Sequence, residues 1–413
     1  MGVVAAVSIG CKVNQYELQA LKKHYEKMRG EWALLLTCCV TGEAERKSRK
    51  ALRRLLCRHR NATIVVAGCL VTLRPDMFKQ ERVVVMDNAA KAELLSRIRI
   101  VPNFEGRSRA LLKVCDGCPS SCSYCIVCRV RGRLRSRKVD DILAEAESIA
   151  AAGFKEVVLV GVNLAAYGRD AHSSLADLLL RLSKERLFPR IRLSSLEPHF
   201  VDDALLEAIG ECDSVCTHFH LPLQSGSDAV LSHMRRPYTA ADFMRLVERL
   251  RKIRSKPAIT TDIIVGYPTE TDADFEKTLS LVEDVGFSRV HIFPYSARPN
   301  TPAAQLTPLP SRLVKERFNA LKRVADAAAA AYRRGLLGLY ESFIPEKDGL
   351  GMLERYVRAR FLGTKPSGFE RVVVVDVSDG EGVVSVAAQS AKSLHHRPYS
   401  SYALLNRRMG GEE

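Results

Sequence analysis

Short apolar runs alternate with amphipathic segments through the first hundred residues. Apolar runs of four to six residues predict buried strands, whereas the segments between them have the period of helices. The predicted strands are Val3–Ser8, Trp32–Leu36, Thr63–Ala67 and Arg82–Met86. Because strands that alternate with helices form a parallel sheet covered by helices, residues 1–100 are predicted to form an α/β domain.

A second alternating series follows the polar stretch 101–109, which contains Pro102 and Gly106 and predicts a domain boundary. Its predicted strands are Leu111–Val114, Glu156–Val160, Arg190–Leu193, His218–Leu221, Ile259–Val265 and Arg289–Phe293. Six strand and helix units of this length predict a parallel barrel, or an open partial barrel, over residues 108–334. The chemistry of such a fold lies at the carboxyl ends of the strands.

The remaining residues, 335–413, are predicted to form a small β domain. A long Ala-rich helix precedes them, with Ser311 as its predicted N-cap and its end near Gly335. The predicted strands are Glu354–Arg360, Arg371–Asp376 and Val383–Ala388, with turns at Gly368 and Gly380. From about Ser390 the sequence predicts a polar tail.

The composition indicates where the protein is expected to act and what charge its partner is expected to carry. No apolar run approaches the ~20 residues of a membrane span, and the first ten residues resemble a strand more than a basic leader, so we expect a cytoplasmic protein without a membrane partner. Lys and Arg number 63 against 47 Asp and Glu, a net charge of +16. This excess favours an anionic partner such as nucleic acid, although a solvated basic surface has the same composition.

Twelve cysteines in a chain without an export signal favour metal ligation over a disulfide framework. Cys118, Cys122 and Cys125 form C-x-x-x-C-x-x-C directly after the first barrel strand. Three thiolates on one loop can hold three irons of a [4Fe–4S] cluster and leave the fourth open to S-adenosylmethionine (SAM). A zinc loop is the alternative, but zinc usually takes four ligands, for which Cys115 or Cys128 would be needed.

Cys11, Cys38 and Cys69 each follow one of the first three predicted strands. In a parallel sheet those loops leave from one edge, so three distant cysteines can meet there and hold a second cluster. Cys39 is adjacent to Cys38, and the spacing alone allows either of them to be the ligand. Buried core cysteines are the alternative interpretation of this set.

Several polar residues near strand ends are candidates for binding SAM. Tyr124 precedes the last cysteine of the loop and suits a contact with adenine, and Asn163, Gln224 and Ser225 follow strand ends. Glu197 and Asp262 have similar positions. A role within the loops themselves is the alternative, and no residue is assigned to catalysis from the sequence.

Two basic runs are candidates for phosphate contacts. The first follows the cysteine loop and the second lies in the first domain; they are Arg129, Arg131, Arg133, Arg135, Arg137 and Lys138, and Arg46, Lys47, Arg49, Lys50, Arg53 and Arg54. Part of the first run could instead line the site, and a solvated helix face is the alternative for both.

Ordered segments throughout the chain resemble the radical SAM methylthiotransferases, specifically the branch that acts on threonylcarbamoyladenosine in tRNA. They are Ser8-Ile-Gly-Cys-Lys-Val-Asn-Gln-Tyr-Glu17, Thr37 to Arg49, Ala67-Gly-Cys69, Asp116 to Cys125, Arg131 to Arg137, Val160 to Asn163, Ser194 to Pro198, Pro222 to Gly226, Asp262 to Pro268 and Phe293 to Ser296. The resemblance covers nearly the whole chain and selects Cys38 over Cys39.

The resemblance implies two [4Fe–4S] clusters, one on Cys11, Cys38 and Cys69 and the other on Cys118, Cys122 and Cys125. It implies that one SAM methylates a sulfur associated with the amino-terminal cluster, and a second generates a radical that attacks carbon 2 of adenine. The product is the 2-methylthio derivative beside the anticodon. The implied partners are the tRNA anticodon arm, a reductant protein and a sulfur donor, and the small β domain is expected to bind RNA.

Three segments depart from the family pattern. Leu36 replaces an Asn, Cys128 replaces a Pro, and Gly351-Met-Leu-Glu-Arg-Tyr-Val replaces a Gly-x-Thr-x-x-Tyr turn. No predicted cluster ligand is lost. Two alternatives stay open at this stage: methylthiolation of a ribosomal-protein aspartate, as in a sister branch, and a non-catalytic RNA-binding protein with zinc or structural cysteines.

Overall fold

The computed structural model describes residues 2–98, 106–363, 366, 368–377 and 382–388. The chain divides into two compact units, of which the first comprises Met1–Gly335 with Glu354–Tyr356 and the second Leu336–Leu353 with Val357–Glu413. The predicted boundary within 101–109 lies largely outside the described residues. Separate domains over 1–100 and 108–334 therefore stay a prediction.

The first sheet has four parallel strands in sequential order. They are β1 (Val3–Ser8), β2 (Trp32–Thr37), β3 (Thr63–Gly68) and β4 (Val83–Met86), with helices α1 (Lys12–Tyr25), α2 (Gly42–Arg58), α3 (Cys69–Leu73) and α4 (Asn88–Ser96). Alternate residues of β2 face opposite sides. Leu34 packs with α1, and Leu35 packs with α2. The predicted α/β domain is confirmed, and the loops after β1, β2 and β3 leave from one edge.

The part of the chain that follows the first sheet contains six parallel strands, as predicted for a partial barrel. With two short strands and eight helices, its elements are β5 (Ala110–Lys113), β6 (Cys115–Asp116), β7 (Arg135–Ser136), β8 (Glu156–Val160), β9 (Arg190–Leu193), β10 (His218–His220), β11 (Ala258–Val265), β12 (Arg289–Pro294), α5 (Val127–Arg131), α6 (Val139–Ala151), α7 (Leu175–Lys184), α8 (Asp203–Glu211), α9 (Asp228–His233), α10 (Ala240–Ile253), α11 (Asp272–Val285) and α12 (Ser311–Arg334). Parallel bridges, including Ser195 to His220, link the β5-β8-β9 and β10-β11-β12 sheets.

The start of α12 differs from the prediction. Ser311 is the first helical residue rather than the N-cap, and Pro310 holds the N-cap position without a side-chain hydrogen bond. The fixed backbone of proline already lies near the helical φ, so the helix begins without a capping hydroxyl. No helix among the described residues is long and apolar enough to cross a membrane.

The second unit is a closed five-stranded barrel, which confirms the predicted small β domain. Its strands are β13 (Tyr340–Pro345), β14 (Leu350–Leu353), β15 (Arg358–Phe361), β16 (Glu370–Val377) and β17 (Val383–Ala388). The sequence missed β13 and β14. Glycine is unusual in a strand, but a Cβ on Gly351 would lie 2.3 Å from the Phe343 ring, so this close packing requires glycine.

The predicted strand Glu354–Arg360 was wrong in its first half. Tyr356 has a φ of 61°, in the left-handed region, so a turn separates β14 from β15. Gly380 and the predicted tail from Ser390 lie outside the described residues.

A buried ion triplet stabilises the start of the partial barrel. Glu156 contacts Arg190 at 2.5 Å and Arg192 at 2.7 Å, and all three side chains are almost completely buried. Burial opposes the charge of Glu156, but Arg192 and then Arg190 lower the pKa of this carboxyl to about 2. Because the folded pKa is depressed, this stabilisation is complete above the ordinary value of 4.5 and is lost as the pH falls toward 2.

We expect Glu156→Gln to lower the free energy of unfolding by about 3–5 kcal/mol, because two buried guanidinium groups lose their counter-ion. Urea unfolding at pH 7, followed by circular dichroism, measures this loss. Glu276→Gln, the same change on the exposed face of α11, should leave the midpoint unchanged. Equal midpoints for wild type and Glu156→Gln would contradict the assignment.

Candidate active site

The loop triad, Cys118, Cys122 and Cys125, lies between β6 and α5. The loop begins at Gly117, whose φ of 73° is left-handed and whose missing Cβ would lie 1.9 Å from the Arg133 carbonyl oxygen. The Cys118 amide donates to the Gly132 carbonyl at 3.2 Å. The loop therefore folds back against the segment that follows α5, and only glycine permits this approach.

Ser123 fixes the middle of the same loop against the barrel. Its amide donates to the Met234 carbonyl at 3.1 Å, and its hydroxyl donates to the His233 carbonyl at 2.8 Å. Both carbonyls belong to the end of α9. Cys122 and Tyr124, which flank Ser123, are thus held by hydrogen bonds that the sequence pattern did not reveal.

Each sulfur of the loop triad faces a different N–H group. Arg236 donates to Cys122 Sγ at 3.3 Å, the Val127 amide lies 3.5 Å from Cys125 Sγ, and Asn163 Nδ2 lies 3.8 Å from Cys118 Sγ. Donors around coordinating sulfurs orient the ligands and tune the reduction potential of a cluster. The arrangement suits thiolates that coordinate iron.

At least one pair of sulfurs in each triad lies farther apart than the ligands of a single zinc ion. Three thiolates on a tetrahedral zinc, with Zn–S bonds of ~2.3 Å, would place their sulfurs ~3.8 Å apart. Among the described residues, neither set of three cysteines has all of its sulfurs within 4.8 Å of one another. Burial raises the pKa of Cys125 to about 12, so this thiol ionises when iron displaces its proton.

Two buried polar atoms beside the loop triad fit a polar ligand such as SAM. Asn163 Oδ1 and Ser120 Oγ are buried and have no hydrogen-bond partner among the described residues. Buried acceptors normally have partners, because an unmet hydrogen bond costs about 1–3 kcal/mol. The ammonium and hydroxyl groups of SAM would supply donors of the required kind.

Arg236 is a site residue that the sequence analysis missed. Its guanidinium is buried, pairs with Glu197 and donates to the Tyr238 hydroxyl and to the Pro222 carbonyl, at 2.7 and 3.2 Å. It therefore joins the loop triad to the ends of β9 and β10. Arg236 belongs to no recognisable motif and is one of 63 basic residues, so the sequence did not identify it. Its partner Glu197, which was predicted to lie near a strand end, was the only indication of its position.

The other SAM candidates occupy different environments. Tyr124 packs in one apolar cluster with Ile264 and Tyr295. Gln224 has a φ of 71° and pairs through its backbone with β11. The buried Ser225 hydroxyl accepts from the Ser227 amide at 3.2 Å, a bond within its own loop. Contacts of Tyr124, Asn163, Gln224 and Ser225 with SAM stay predictions, and the bond of Ser225 favours a structural role.

The amino-terminal triad, Cys11, Cys38 and Cys69, lies at one edge of the first sheet. Cys11 is the N-cap of α1, Cys38 follows β2, and Cys69 begins α3. Burial raises the pKa of Cys38 to about 12; a hydrogen bond from Val40 opposes the shift, and the thiols of Cys69 and Cys11 add to it. The surroundings of Cys38 thus include the thiols of both other members of the triad.

Gly10 permits the convergence at this edge. Its φ is 95°, and a Cβ there would lie 2.8 Å from Cys38 Sγ. Cys39 is completely buried in the apolar core beside α2. The packing favours Cys38 as the ligand and Cys39 as a core residue, which stays a prediction.

A buried charge network lies between the two triads. Glu17 accepts from Lys91 and Lys113, both at 2.6 Å, and contacts Arg131 at 3.3 Å. Arg131 also donates to Asp116 at 2.9 Å, and Lys113 donates to Asp116 at 2.6 Å. These five side chains are at most 12% exposed. The network connects α1 and α4 of the first sheet directly to the strand that precedes Cys118.

The network is charged in a way that suits an anionic cluster. Glu17 and Asp116 supply two negative charges against three positive charges, so one positive charge is in excess. Burial opposes the charge of Arg131, but Glu17 and then the Cys69 thiol hold the pKa of Arg131 well above its ordinary range. A [4Fe–4S]²⁺ cluster on three thiolates carries one negative charge. The amino-terminal triad therefore fits a cluster in charge as well as in ligand type.

The first basic run divides between the interior and the surface. Arg131 belongs to the charge network, and Arg137 pairs with Glu145 at 2.7 Å. The exposed members are Arg129, Arg133, Arg135 and Lys138, and all six basic residues of the second run on α2 are also exposed. Only the exposed residues are available for phosphate contacts, which stay a prediction.

We expect Glu17→Gln to lower the free energy of unfolding by about 3–5 kcal/mol, because Lys91 loses its buried counter-ion. Removing a negative charge should also raise the reduction potential of the neighbouring cluster. Urea unfolding and an anaerobic redox titration followed by electron paramagnetic resonance measure the two effects. Glu43→Gln removes an exposed ion pair on α2 and should change neither value. Unchanged stability and potential in Glu17→Gln would refute the role of the network.

Known proteins resemble both halves of this arrangement. A model of the radical SAM superfamily matches residues 112–282, and a model of the uncharacterized protein family UPF0004 matches residues 3–89. A radical SAM methyltransferase structure, TsrM from Kitasatospora setae with cobalamin and a [4Fe–4S] cluster bound, superposes with a TM-score of 0.50 at 15% identity over 66% of each chain. It supports the partial-barrel fold.

Curated relatives extend the match to the whole chain. The threonylcarbamoyladenosine tRNA methylthiotransferase MtaB of Thermotoga maritima is 37% identical over 424 residues, covering 94% of this chain and 98% of that protein. A tRNA-2-methylthio-N(6)-dimethylallyladenosine synthase of Syntrophomonas wolfei is 42% identical over 240 residues, covering 57% of this chain and 54% of that one. The chain therefore belongs to the radical SAM methylthiotransferase family, in the branch of the threonylcarbamoyladenosine tRNA methylthiotransferases.

Proposed function

We propose that this enzyme replaces the hydrogen on carbon 2 of N6-threonylcarbamoyladenosine with a methylthio group, in tRNA, beside the anticodon. One observation carries the proposal: two sets of three cysteines, one at the carboxyl edge of the first parallel sheet and one in the loop between β6 and α5, belong to one compact unit with a buried charge network between them. Radical formation and sulfur transfer each need one such site.

The residues that would hold the cofactors are the two triads. When bound, the clusters and SAM supply the radical that removes an unactivated hydrogen, together with the methyl group and the sulfur that replace it. Arg236 holds Cys122 through its N–H group and Glu197 through an ion pair. Asn163 presents an amide to Cys118, and its buried side-chain oxygen has no hydrogen-bond partner within the described part of the chain. Because Tyr124, Asn163 and Gln224 lie in the cysteine loop or after strand ends, we assign contacts with SAM to these three residues.

The protein's own part in the chemistry is to hold the cysteine loop in a fixed position. Ser123 and Gly117 fix the cysteine loop at its centre and at its start. Tyr124, within the loop, packs against the apolar cluster that contains Met234 and Tyr267. A mobile side chain near the radical would offer another hydrogen for abstraction, so a rigid surround favours reaction with the bound base.

The proposed partners follow from the chemistry. The tRNA phosphates would contact exposed basic residues of the two runs, for example Arg133, Arg135 and Arg49, and the small β barrel would add a further RNA contact. Reduction of the cluster requires an electron-donor protein, and repeated turnover requires a sulfur donor. We place the enzyme in the cytoplasm, where its tRNA substrate is found.

Two other functions receive less support. The similarity to the Syntrophomonas enzyme makes dimethylallyladenosine the closest competing substrate. Its match covers 57% of this chain, whereas the Thermotoga relative covers 94%. The zinc-protein alternative does not explain why neither triad has the sulfur spacing of a zinc site.

We expect the anaerobically reconstituted enzyme, with SAM and dithionite, to convert threonylcarbamoyladenosine in tRNA to its 2-methylthio derivative. Liquid chromatography and mass spectrometry of digested nucleosides detect the product. Cys122→Ala should abolish it, because a ligand of the radical cluster is lost. Cys57→Ala changes an exposed cysteine of α2 and should retain wild-type conversion. A tRNA left unchanged by the reconstituted wild type would overturn the proposal.

A further inference from the structure

Polar side chains occupy the face of the β10-β11-β12 sheet that is opposite the main hydrophobic core. This lumen patch consists of His220, Asp262 and His291, one residue from each strand, and all three are partly exposed. His220 Nε2 lies 3.3 Å from Asp262 Oδ2, and Asp262 is in register with His291. The patch is separate from both triads and from the hydrophobic core.

The direction of Asp262 relates the patch to the cysteine loop. Side chains two residues apart on a strand share a face. Ile263 and Val265 pack in the main core, whereas Ile264 packs in the cluster that contains Tyr124. Asp262 therefore lies on the same face of β11 as Ile264. Ile264, two residues further along the strand, packs against the same cluster as Tyr124 of the cysteine loop.

Lys12 reaches this region from the first sheet. It follows Cys11 directly, and its ammonium lies 5.6 Å from the centre of the Tyr356 ring. Tyr356 packs against His218, with ring centres 4.7 Å apart, and the Thr260 hydroxyl contacts both His218 and His220, at 3.2 and 3.0 Å. A continuous set of contacts thus connects Lys12 with the lumen patch.

Lys12 has no ion-pair or hydrogen-bond partner among the described residues and is partly buried. A partly buried ammonium without a counter-ion is unfavourable, and an anionic ligand would relieve it. Arg289, two residues before His291 on β12, adds a second positive charge to the same face. The lumen patch has the spacing of metal ligands, but these two cations favour an anion over a divalent metal.

We propose that Lys12 and the lumen patch bind the threonylcarbamoyl group, with Lys12 pairing with its carboxylate and Asp262 and His220 contacting its hydroxyl and urea groups. This inference rests on the proposed function. In adenine, C2, N1 and C6 are consecutive ring atoms. The N6 substituent on C6 therefore extends from the same edge of the base as C2, the carbon that reacts. Lys12 adjoins Cys11, a proposed ligand of the cluster that serves that edge.

The subsite also explains a choice between substrates. A threonylcarbamoyl group carries a carboxylate, a hydroxyl and a urea, whereas a dimethylallyl group is uncharged and apolar. Desolvated polar groups discriminate strongly against a ligand that leaves them unpaired. Lys12 and Asp262 would therefore favour the first substituent and disfavour the second.

The test compares anticodon stem-loop RNAs of one sequence that carry threonylcarbamoyladenosine, dimethylallyladenosine or adenosine at the modified position. Dissociation constants are measured by fluorescence anisotropy with the reconstituted enzyme. Lys12→Gln should weaken binding of the threonylcarbamoyl RNA about tenfold and leave the other two unchanged, as expected for one charged hydrogen bond. Lys12→Arg, which keeps the charge, should restore most of the loss.

Asp262→Asn, remote in sequence from any proposed cluster ligand, should also weaken only the threonylcarbamoyl RNA. Lys27→Gln, an exposed lysine after α1, should alter none of the three constants. Iron per chain must equal that of wild type in each variant. Equal losses for all three RNAs, or no loss in Lys12→Gln and Asp262→Asn, would overturn the subsite while wild-type conversion of the tRNA still supported the function. Failure of wild-type conversion would instead refute the function itself.

Discussion

Glu17, Lys91, Lys113, Asp116 and Arg131 carry charges that water cannot screen, so each charge depends on the others for its stability. They come from α1, α4, β5, β6 and α5, and they therefore constrain the first sheet and the β5-β8-β9 sheet at once. A shift of either sheet would separate carboxylates from cations in a buried environment. The relative position of the two triads follows from this constraint, as does the excess positive charge that faces the amino-terminal cysteines.

The pattern of apolar runs predicted most of the fold. Each predicted strand of the first sheet and of the partial barrel agrees with the structure to within one residue at either end, because buried parallel strands are uninterrupted apolar runs. The second unit was harder. Gly351 in β14 and the left-handed Tyr356 after it depend on contacts with Phe343 and on a tight turn, and neither leaves a periodic signal.

The cysteine positions were predictable, whereas their surroundings were not. Spacing and strand ends identified both triads, but Arg236, Ser123 and the charge network act through contacts between residues distant in sequence. Arg131 illustrates the limit. It lies in a basic run that suggested phosphate contacts, yet its side chain is buried and binds Asp116 and Glu17. Only the three-dimensional pairing separates it from its exposed neighbours Arg133 and Arg135.

The proposed chemistry requires that one unit hold two separate [4Fe–4S] clusters. The most direct test is iron and acid-labile sulfide per chain after anaerobic reconstitution, for wild type and for variants with alanine in place of each triad. We expect about eight irons in wild type and about four in either triple variant, with sulfide in equal number. Four irons in wild type that one triple variant removes entirely and the other leaves intact, or zinc in place of iron, would contradict it.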